Sequence, residues 1–407
     1  MTLPPITTFL TARLVWGVAF YMMVTVAMIY QVEVAGLTPL ELVLVGTAME
    51  VSAFVFEVPT GVVADRYSRK FSVIIGYAIF GVSLVLLGLF PTFWMIVVSS
   101  ALSGLGWTFV SGAHEAWLAD EIGVEAAGPV YLQGQKYSNG GSFLGIAVAV
   151  VLGSMALHWP LLLAGILFLA WGCAALVLMP ETRFAPARTA DRGEPGTLWR
   201  SLDVVRASPI LVMLMIVGVV FGMFSEGYDR LSTAHLLRTF EFPALFGAEP
   251  VVLFGVFLVI GNLLGMALLH RLASRVETNS DQQLARALLL LTGLVGMAVL
   301  VFALSVSVWL AILMYLVLIP LRQAIDPLTV AWINRYVGSD IRATVISLNG
   351  QADALGQMSG PVVGGIAQLA GLRVALTCSA LLLLPVVALY VRTSRNLGAR
   401  TSGGNAP

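Results

Sequence analysis

The chain has 407 residues, of which 58% are hydrophobic and 11% charged, with 22 basic and 22 acidic residues. Soluble proteins run at about 45–50% apolar and about 25% charged, so this chain has too few polar groups to cover a surface facing water. The composition excludes a soluble enzyme, a nucleic-acid binder and a disordered chain, and it points to a polytopic helical membrane protein.

Twelve continuous apolar runs reach the roughly 20 residues that a bilayer core demands. They are 11–32, 39–64, 71–90, 94–118, 131–157, 161–179, 209–232, 249–270, 285–305, 308–333, 343–370 and 373–392. Barrel strands alternate in polarity, and these runs do not. The first run lacks a basic leader and is long enough to stay as a span, so no cleaved signal is expected. No lipidation motif is visible. Cys173 and Cys378 each fall inside an apolar run, which argues against a disulfide framework.

Span 2 ends in Gly61, Asp65, Arg66, Arg69 and Lys70. Gly61 permits close helix approach. Asp65 stands at a helix end, where it can meet the positive N-terminus of a neighbour. Arg69 is spaced to reach Asp120 at the inner end of span 4. The bland alternative is that these basic residues only set topology. After span 6 comes the longest connection, 180–208, opening on Pro180-Glu181-Thr182. Within it Leu198, Trp199, Leu202 and Val205 have helical spacing, opposite Arg200, Asp203 and Arg206. This is either a helix lying on the inner membrane surface or a polar linker. The chain thus divides into 1–182, a six-span half; 183–208, the linker; 209–395, the second six-span half; and 396–407, a tail.

The Lys and Arg residues set the orientation. With the N-terminus inside, seventeen fall in inner loops and two, Arg238 and Arg373, in outer ones; Arg13, Arg230 and Arg322 lie in or at the edge of spans. Both termini are therefore expected in the cytoplasm. Twenty Arg against two Lys fits a GC-rich bacterial genome, and the expected location is the bacterial cytoplasmic (inner) membrane, as a monomer.

A shift of 215 residues lays Ala116-Trp117 on Ala331-Trp332, Gly123 on Gly338, Val130 on Val345, Gly141 on Gly356 and Gly145 on Gly360, with Glu125 over Asp340. A weak internal repeat of this kind is common in transporters.

Charges within spans cost about 2.5–3.5 kcal/mol at mid-bilayer and so should face protein or water. Apart from Arg286, Arg373 and Arg392 at their ends, spans 3, 6, 9 and 12 hold none, which suggests four lipid-facing helices around a wetter interior. The others hold Glu50, Glu57, His114, Glu115, Glu226, Asp229, Arg230, Arg322, Asp326 and Asp353. Glu226–Arg230 and Arg322–Asp326 are spaced i,i+4 and can each neutralise themselves along one helix. That leaves Glu50, Glu57, Glu115, Asp229 and Asp353 against His114. Excess acid in such an interior favours proton or cation handling, because a buried carboxylate is costly unless protonated or paired. Glu50, Glu57 and Asp353 lead on position; a buried acid hydrogen-bonded to a neighbouring helix is the alternative for each. Pro59, Pro320, Pro327 and Pro361 free backbone carbonyls within spans, so kinks are expected there.

The Gly61 to Lys70 segment resembles the G-x-x-x-D-R-x-x-R-[RK] loop signature of the major facilitator superfamily and matches it at every defining position. Pro180-Glu181-Thr182 and the Gly356-x3-Gly360-Pro361-x2-Gly364-Gly365 run agree with that resemblance. It implies an all-α integral membrane fold of twelve transmembrane helices in two pseudo-symmetric six-helix halves, working by alternating access. It further implies that Asp65 docks near Arg342 at the start of span 11 when the inside is closed, with Arg69 and Asp120 supporting that latch. The runs Phe56 to Asp65 and Ser111 to Trp117 are most similar to bacterial drug-efflux members. Two departures stand out. Span 5 has Gly140, Gly141 and Gly145 but no proline, and the segment from Gly265 to Arg275 has no acid matching Asp65, so the latch is expected to be one-sided.

The favoured function is proton-coupled efflux (antiport) of hydrophobic or cationic small molecules. Its main rival is a proton-coupled importer of a small metabolite. A membrane-embedded enzyme or channel is the rival of another class, but no HExxH, nucleophile elbow or P-loop is present. His114, His158, His235 and His270 are scattered, so no metal and no cofactor are expected.

Overall fold

The structure, a computed structural model, describes residues 2–184, 195–240, 249–338 and 341–403. The middle of the linker, Asp340 of the repeat and the last residues of the tail lie outside the described residues, as does the side chain of Leu198. All regular structure among the described residues is helical.

Fifteen helices follow in order among those residues: α1 (Pro5–Ile29), α2 (Pro39–Arg66), α3 (Arg69–Leu89), α4 (Phe93–Val110), α5 (Ala113–Ile122), α6 (Val124–Gly153), α7 (His158–Leu178), α8 (Pro195–Ala207), α9 (Pro209–Thr239), α10 (Pro250–Arg275), α11 (Asp281–Leu304), α12 (Val308–Tyr336), α13 (Arg342–Gln357), α14 (Gly360–Ala370) and α15 (Leu372–Gly403). A π-helical turn, Tyr30–Val34, extends α1.

Local chemistry sets the helix starts. Thr38 caps α2 through a reciprocal box with Glu41, and Pro39 takes the first turn, where its missing N–H costs nothing. Ser68, Ser208 and Ser280 cap α3, α9 and α11 by accepting from the backbone N–H three residues on. The expected fourth span is interrupted at Gly112, whose φ of 74° suits glycine, and α5 restarts after it. The expected eleventh span is broken before Gly360-Pro361, where Pro361 begins α14. Pro59, Pro320 and Pro327 instead lie inside continuous helices.

Ten helical stretches among the described residues are long and apolar enough to cross a bilayer. The expected runs 131–157 and 343–370 are helical but fall outside that set. The first, in α6, carries Gln133, Gln135, Lys136 and Asn139; the second is the interrupted α13–α14 pair. The expected linker helix exists as α8, with Val205 buried and Trp199 exposed.

The chain divides into two compact units, Met1–Arg192 with Ala244–Val256, and Gly193–Pro243 with Phe257–Pro407. In the first, α1 packs on α6 and α7, α2 on α4, and α3 on α4 and α7. In the second, α9 packs on α13 and α15, and α11 on α12 and α15. The repeat read from the sequence has a physical basis in these contacts. A Cβ on Gly141 would meet the Leu14 carbonyl oxygen at 2.6 Å, and one on Gly356 would collide with the Val219 carbonyl oxygen. Each glycine lets two backbones touch, which is how membrane helices associate where lipid tails are as apolar as Leu. Trp117 and Trp332 are both fully buried. Inside the first unit, hydroxyls tie helices together: Ser52 Oγ donates to the Ala101 carbonyl at 2.7 Å, Ser99 Oγ donates to the Ser83 carbonyl at 2.7 Å, and the Ser83 and Ser103 hydroxyls pair at 2.8 Å.

Candidate functional site

Each unit has a cavity of its own. The one in the first unit is about 350 Å³ and is lined by Arg13 and Trp16 of α1, Tyr77 of α3, Trp107 of α4, and His114 and Glu115 of α5. The break at Gly112 places His114 and Glu115 in the first turn of α5, where the helix dipole favours an acid. Arg13 Nη1 lies 3.7 Å from Glu115 Oε1. Arg13 Nη2 donates to Gln135 Oε1 at 3.1 Å, and Tyr131 OH donates to the Glu115 backbone carbonyl at 2.8 Å. Trp16 stands within 5.2–5.8 Å, ring to ring, of Phe20, Tyr77, Phe80, Trp107 and Phe168. His114 is 3% exposed, against Phe9 and Trp117.

In the second unit a cavity of about 240 Å³ is lined by Leu214, Phe221, Arg322, Asp326, Asn349 and Asp353, among others. Arg322 reaches across from α12 to Asp229 of α9 and grips it with two nitrogens, Nη2 to Oδ2 at 2.7 Å and Nη1 to Oδ1. Its guanidinium carbon lies 5.1 Å from the Tyr228 ring centre and 5.8 Å from that of Phe224. The expected Arg322–Asp326 pair is therefore corrected to Arg322–Asp229. A two-bond fork on a carboxylate, backed by two aromatic faces, outweighs a single contact along one helix. Glu226–Arg230 does pair along α9, with Arg230 Nε donating to Glu226 Oε1 at 3.2 Å. Asp353 accepts from Gln357 Nε2 at 2.7 Å, and Asp326 is exposed on the cavity wall.

Glu50 and Glu57, both on α2, line neither cavity; Glu57 is exposed and Glu50 half-buried. The sequence reading missed Arg13 as the partner of Glu115. It lies 102 positions away in sequence, and its closeness comes from how α1 meets α5.

At the end of the first unit near the Gly61 to Lys70 loop, the expected Arg69–Asp120 ion pair forms at 2.7 Å, and Asp65 joins at 3.6 Å. Arg69 Nη1 also donates to the Ala116 carbonyl at 2.6 Å. Arg66 is exposed, as is Arg342 at the start of α13. The close approach expected at Gly61 is absent among the described residues, since a Cβ there would meet nothing within 4 Å. Two acids that sequence reasoning passed over complete this region. Glu121 accepts from Thr182 N, Thr182 Oγ1 and Arg183 N at 2.7, 2.8 and 3.0 Å. Glu181 accepts from Ser68 Oγ at 2.6 Å and Lys70 N at 2.9 Å. Trp117 Nε1 donates to the Pro180 carbonyl at 2.6 Å. Pro180-Glu181-Thr182 is thus sewn to both the loop and α5.

The second unit has a counterpart with its charges exchanged. Ser280 caps α11 as Ser68 caps α3, and Asp281 follows it as Arg69 follows Ser68. Asp281 Oδ1 accepts from Arg335 Nε at 2.7 Å and from Trp332 Nε1 at 3.1 Å, and Oδ2 accepts from Tyr336 OH at 2.6 Å. Arg335 stands 215 residues after Asp120, as Trp332 does after Trp117. As expected, the Gly265 to Arg275 segment that ends α10 holds no acid matching Asp65 in the last turn of α2; the nearest acid lies in the loop beyond. Glu277 stands four residues before Asp281, as Asp65 stands four before Arg69, and is bridged by the Gln283 side chain at 2.8 and 3.0 Å. Five residues, 276–280, join α10 to α11, against two, 67–68, between α2 and α3.

The profile of the Major Facilitator Superfamily matches residues 8–319. An uncharacterized MFS-type transporter, YxaM of Bacillus subtilis (strain 168), is 23% identical over 364 residues, covering 86% of each chain. Among solved structures, the nucleoside transporter NupG has a similar fold at a TM-score of 0.76 and 12% identity, covering 96% of this chain and 99% of that one. A POT family transporter in complex with a thioalcohol-conjugated peptide has a TM-score of 0.73 at 13% identity, covering 96% of each.

Proposed function

The chain belongs to the Major Facilitator Superfamily, and from that premise we propose that it is a proton-coupled secondary transporter of small organic molecules. It crosses the bacterial cytoplasmic membrane twelve times as a monomer, with both termini inside, and works by alternating access. The observation that carries the coupling is the balance of charge in the second unit. Asp326 and Asp353 line its cavity, while Arg322, the one cation lining it among the described residues, is already held by Asp229. Two carboxylates without a matching cation in a low-dielectric setting favour a proton or a cationic substrate. Glu226–Arg230 and Asp229–Arg322 frame that site, Glu115 with Arg13 frames the substrate cavity of the first unit, and Glu50 and Glu57 on α2 are secondary proton sites. Gly61, Asp65, Arg66, Arg69, Asp120 and Arg342 form the gating set.

The direction favoured is export of hydrophobic or cationic molecules in exchange for protons, supported by the efflux-like runs Phe56 to Asp65 and Ser111 to Trp117. One observation favours import of a small metabolite. The first unit's cavity, at about 350 Å³, lies at the small end of the range for ligand pockets.

The test uses proteoliposomes with an imposed pH gradient. Collapsing the gradient should abolish net substrate movement, and Asp353→Asn should flatten the pH dependence of transport. Transport indifferent to the gradient would sink proton coupling. Accumulation against a gradient in inside-out vesicles separates export from import.

A further inference from the structure

The cavity of the first unit presents groups that its own side chains leave unsatisfied. Trp107 is 41% exposed beside Trp16 at 9% and Tyr77 at 0%, so part of its indole remains uncovered, and it lines the cavity wall. Arg13 and Glu115 stand 3.7 Å apart, beyond hydrogen-bond length. Arg13 spends one of its five N–H donors on Gln135. The Glu115 carboxylate accepts no hydrogen bond among the described residues. An acceptor and a donor are therefore held side by side at the edge of an aromatic wall, in a space suited to one small ligand.

We infer that this cavity binds a planar heteroaromatic molecule with a hydrogen-bond donor beside an acceptor on one edge. The ring stacks on Trp107, the donor meets Glu115 and the acceptor meets Arg13. The inference rests on the transport reading, since this would be the substrate site. Within the hydrophobic or cationic class proposed for export, a planar ring matches this wall better than a bulky cation, which meets Glu115 but offers Arg13 no acceptor. A ring carrying only donors leaves Arg13 unused, and an apolar ring uses the remaining hydrogen-bonding capacity of neither group.

The probes are adenine and nicotinamide, planar rings with adjacent donor and acceptor, and tetraphenylphosphonium, a bulky cation with neither. Binding to the full-length protein in detergent is measured by calorimetry, with thermal unfolding to verify that each variant is folded. At least one planar probe should bind saturably. Trp107→Phe should keep affinity within about threefold, while Trp107→Leu and Glu115→Ala should each weaken it about tenfold or more, the loss expected for a stacking face or a paired polar group. N,N-dimethylnicotinamide, which keeps the carbonyl acceptor but has no N–H donor, should bind with an affinity insensitive to Glu115→Ala. Failure of both planar probes to bind folded protein, or binding that both weakening variants leave unchanged, overturns the site. Counterflow in proteoliposomes separates the two readings. A planar probe that binds without counterflow overturns transport and leaves the site standing. Counterflow of tetraphenylphosphonium without planar-probe binding overturns the site and leaves transport standing.

Discussion

Arg322 shows how much turns on which acid an arginine meets. Spacing along α12 offers it Asp326, yet the fork closes on Asp229 of α9 and lies on two aromatic rings. Asp326 and Asp353 are thereby left to the cavity, so the choice of partner creates the acid excess on which the proposed coupling rests. Removing one partner strands the other, whereas removing both does not. Asp229→Asn and Arg322→Met should each lower stability by about 1–3 kcal/mol, and the double variant should lose less than the sum of the two. Thermal midpoints of the purified protein check this; strict additivity would mean the pair is not coupled. Local spacing gave Glu226–Arg230 correctly, and the helix-end reading gave Arg69–Asp120, which at 2.7 Å is closer than the i,i+4 neighbour Asp65 at 3.6 Å. It failed at Arg322 and Arg13, where the deciding neighbour comes from a distant helix.

Among the elements, the glycines separate contact from mere occurrence. Gly141 and Gly356, which the repeat had aligned, are the points where α6 meets α1 and α13 meets α9, backbone to backbone. Gly61 belongs to the loop signature but has open space around it. Gly141→Val should therefore cost about 1–3 kcal/mol or more through overpacking and reduce the yield of monodisperse protein on gel filtration. Gly61→Ala should leave the thermal midpoint unchanged or slightly raised, because Ala is the better helix former by about 1 kcal/mol. All twelve apolar runs proved helical, and the starts of α2, α9 and α12 were read to the residue. Yet α1 and α6 begin six and seven residues before the expected spans, and α9 and α15 run seven and eleven past them, because polar helical turns carry no apolar signal. The breaks inside the fourth and eleventh runs were less legible. Gly112 needs a positive φ that its neighbours alone do not announce.

Across the whole molecule, family and fold were accessible from the loop signature and the two-half pattern, and the profile match over residues 8–319 agrees. The cavities were not accessible, because each is lined from three or more helices whose packing no single segment encodes. Gating is tested at this scale. Asp65→Asn should shift the resting access state, read by labelling cysteines introduced at the helix ends beside the Gly61 to Lys70 loop, while substrate affinity stays within about threefold. Loss of binding with access unchanged would refute the latch assignment, since a gate biases states and need not touch substrate.

The exchanged ion pairs have a consequence for how such a chain assembles. Two halves with the same helix order and similar contacts offer each nascent helix two docking places. At the start of α3 stands a cation facing an anion, Arg69 with Asp120; at the start of α11 stands an anion facing a cation, Asp281 with Arg335. If α11 sought the place of α3, Asp281 would face Asp120, and in the reverse error Arg69 would face Arg335. Like charges at contact distance penalise both mistakes while leaving the correct pairs intact. The inverted polarity thus works as an address, telling each half which helices are its own.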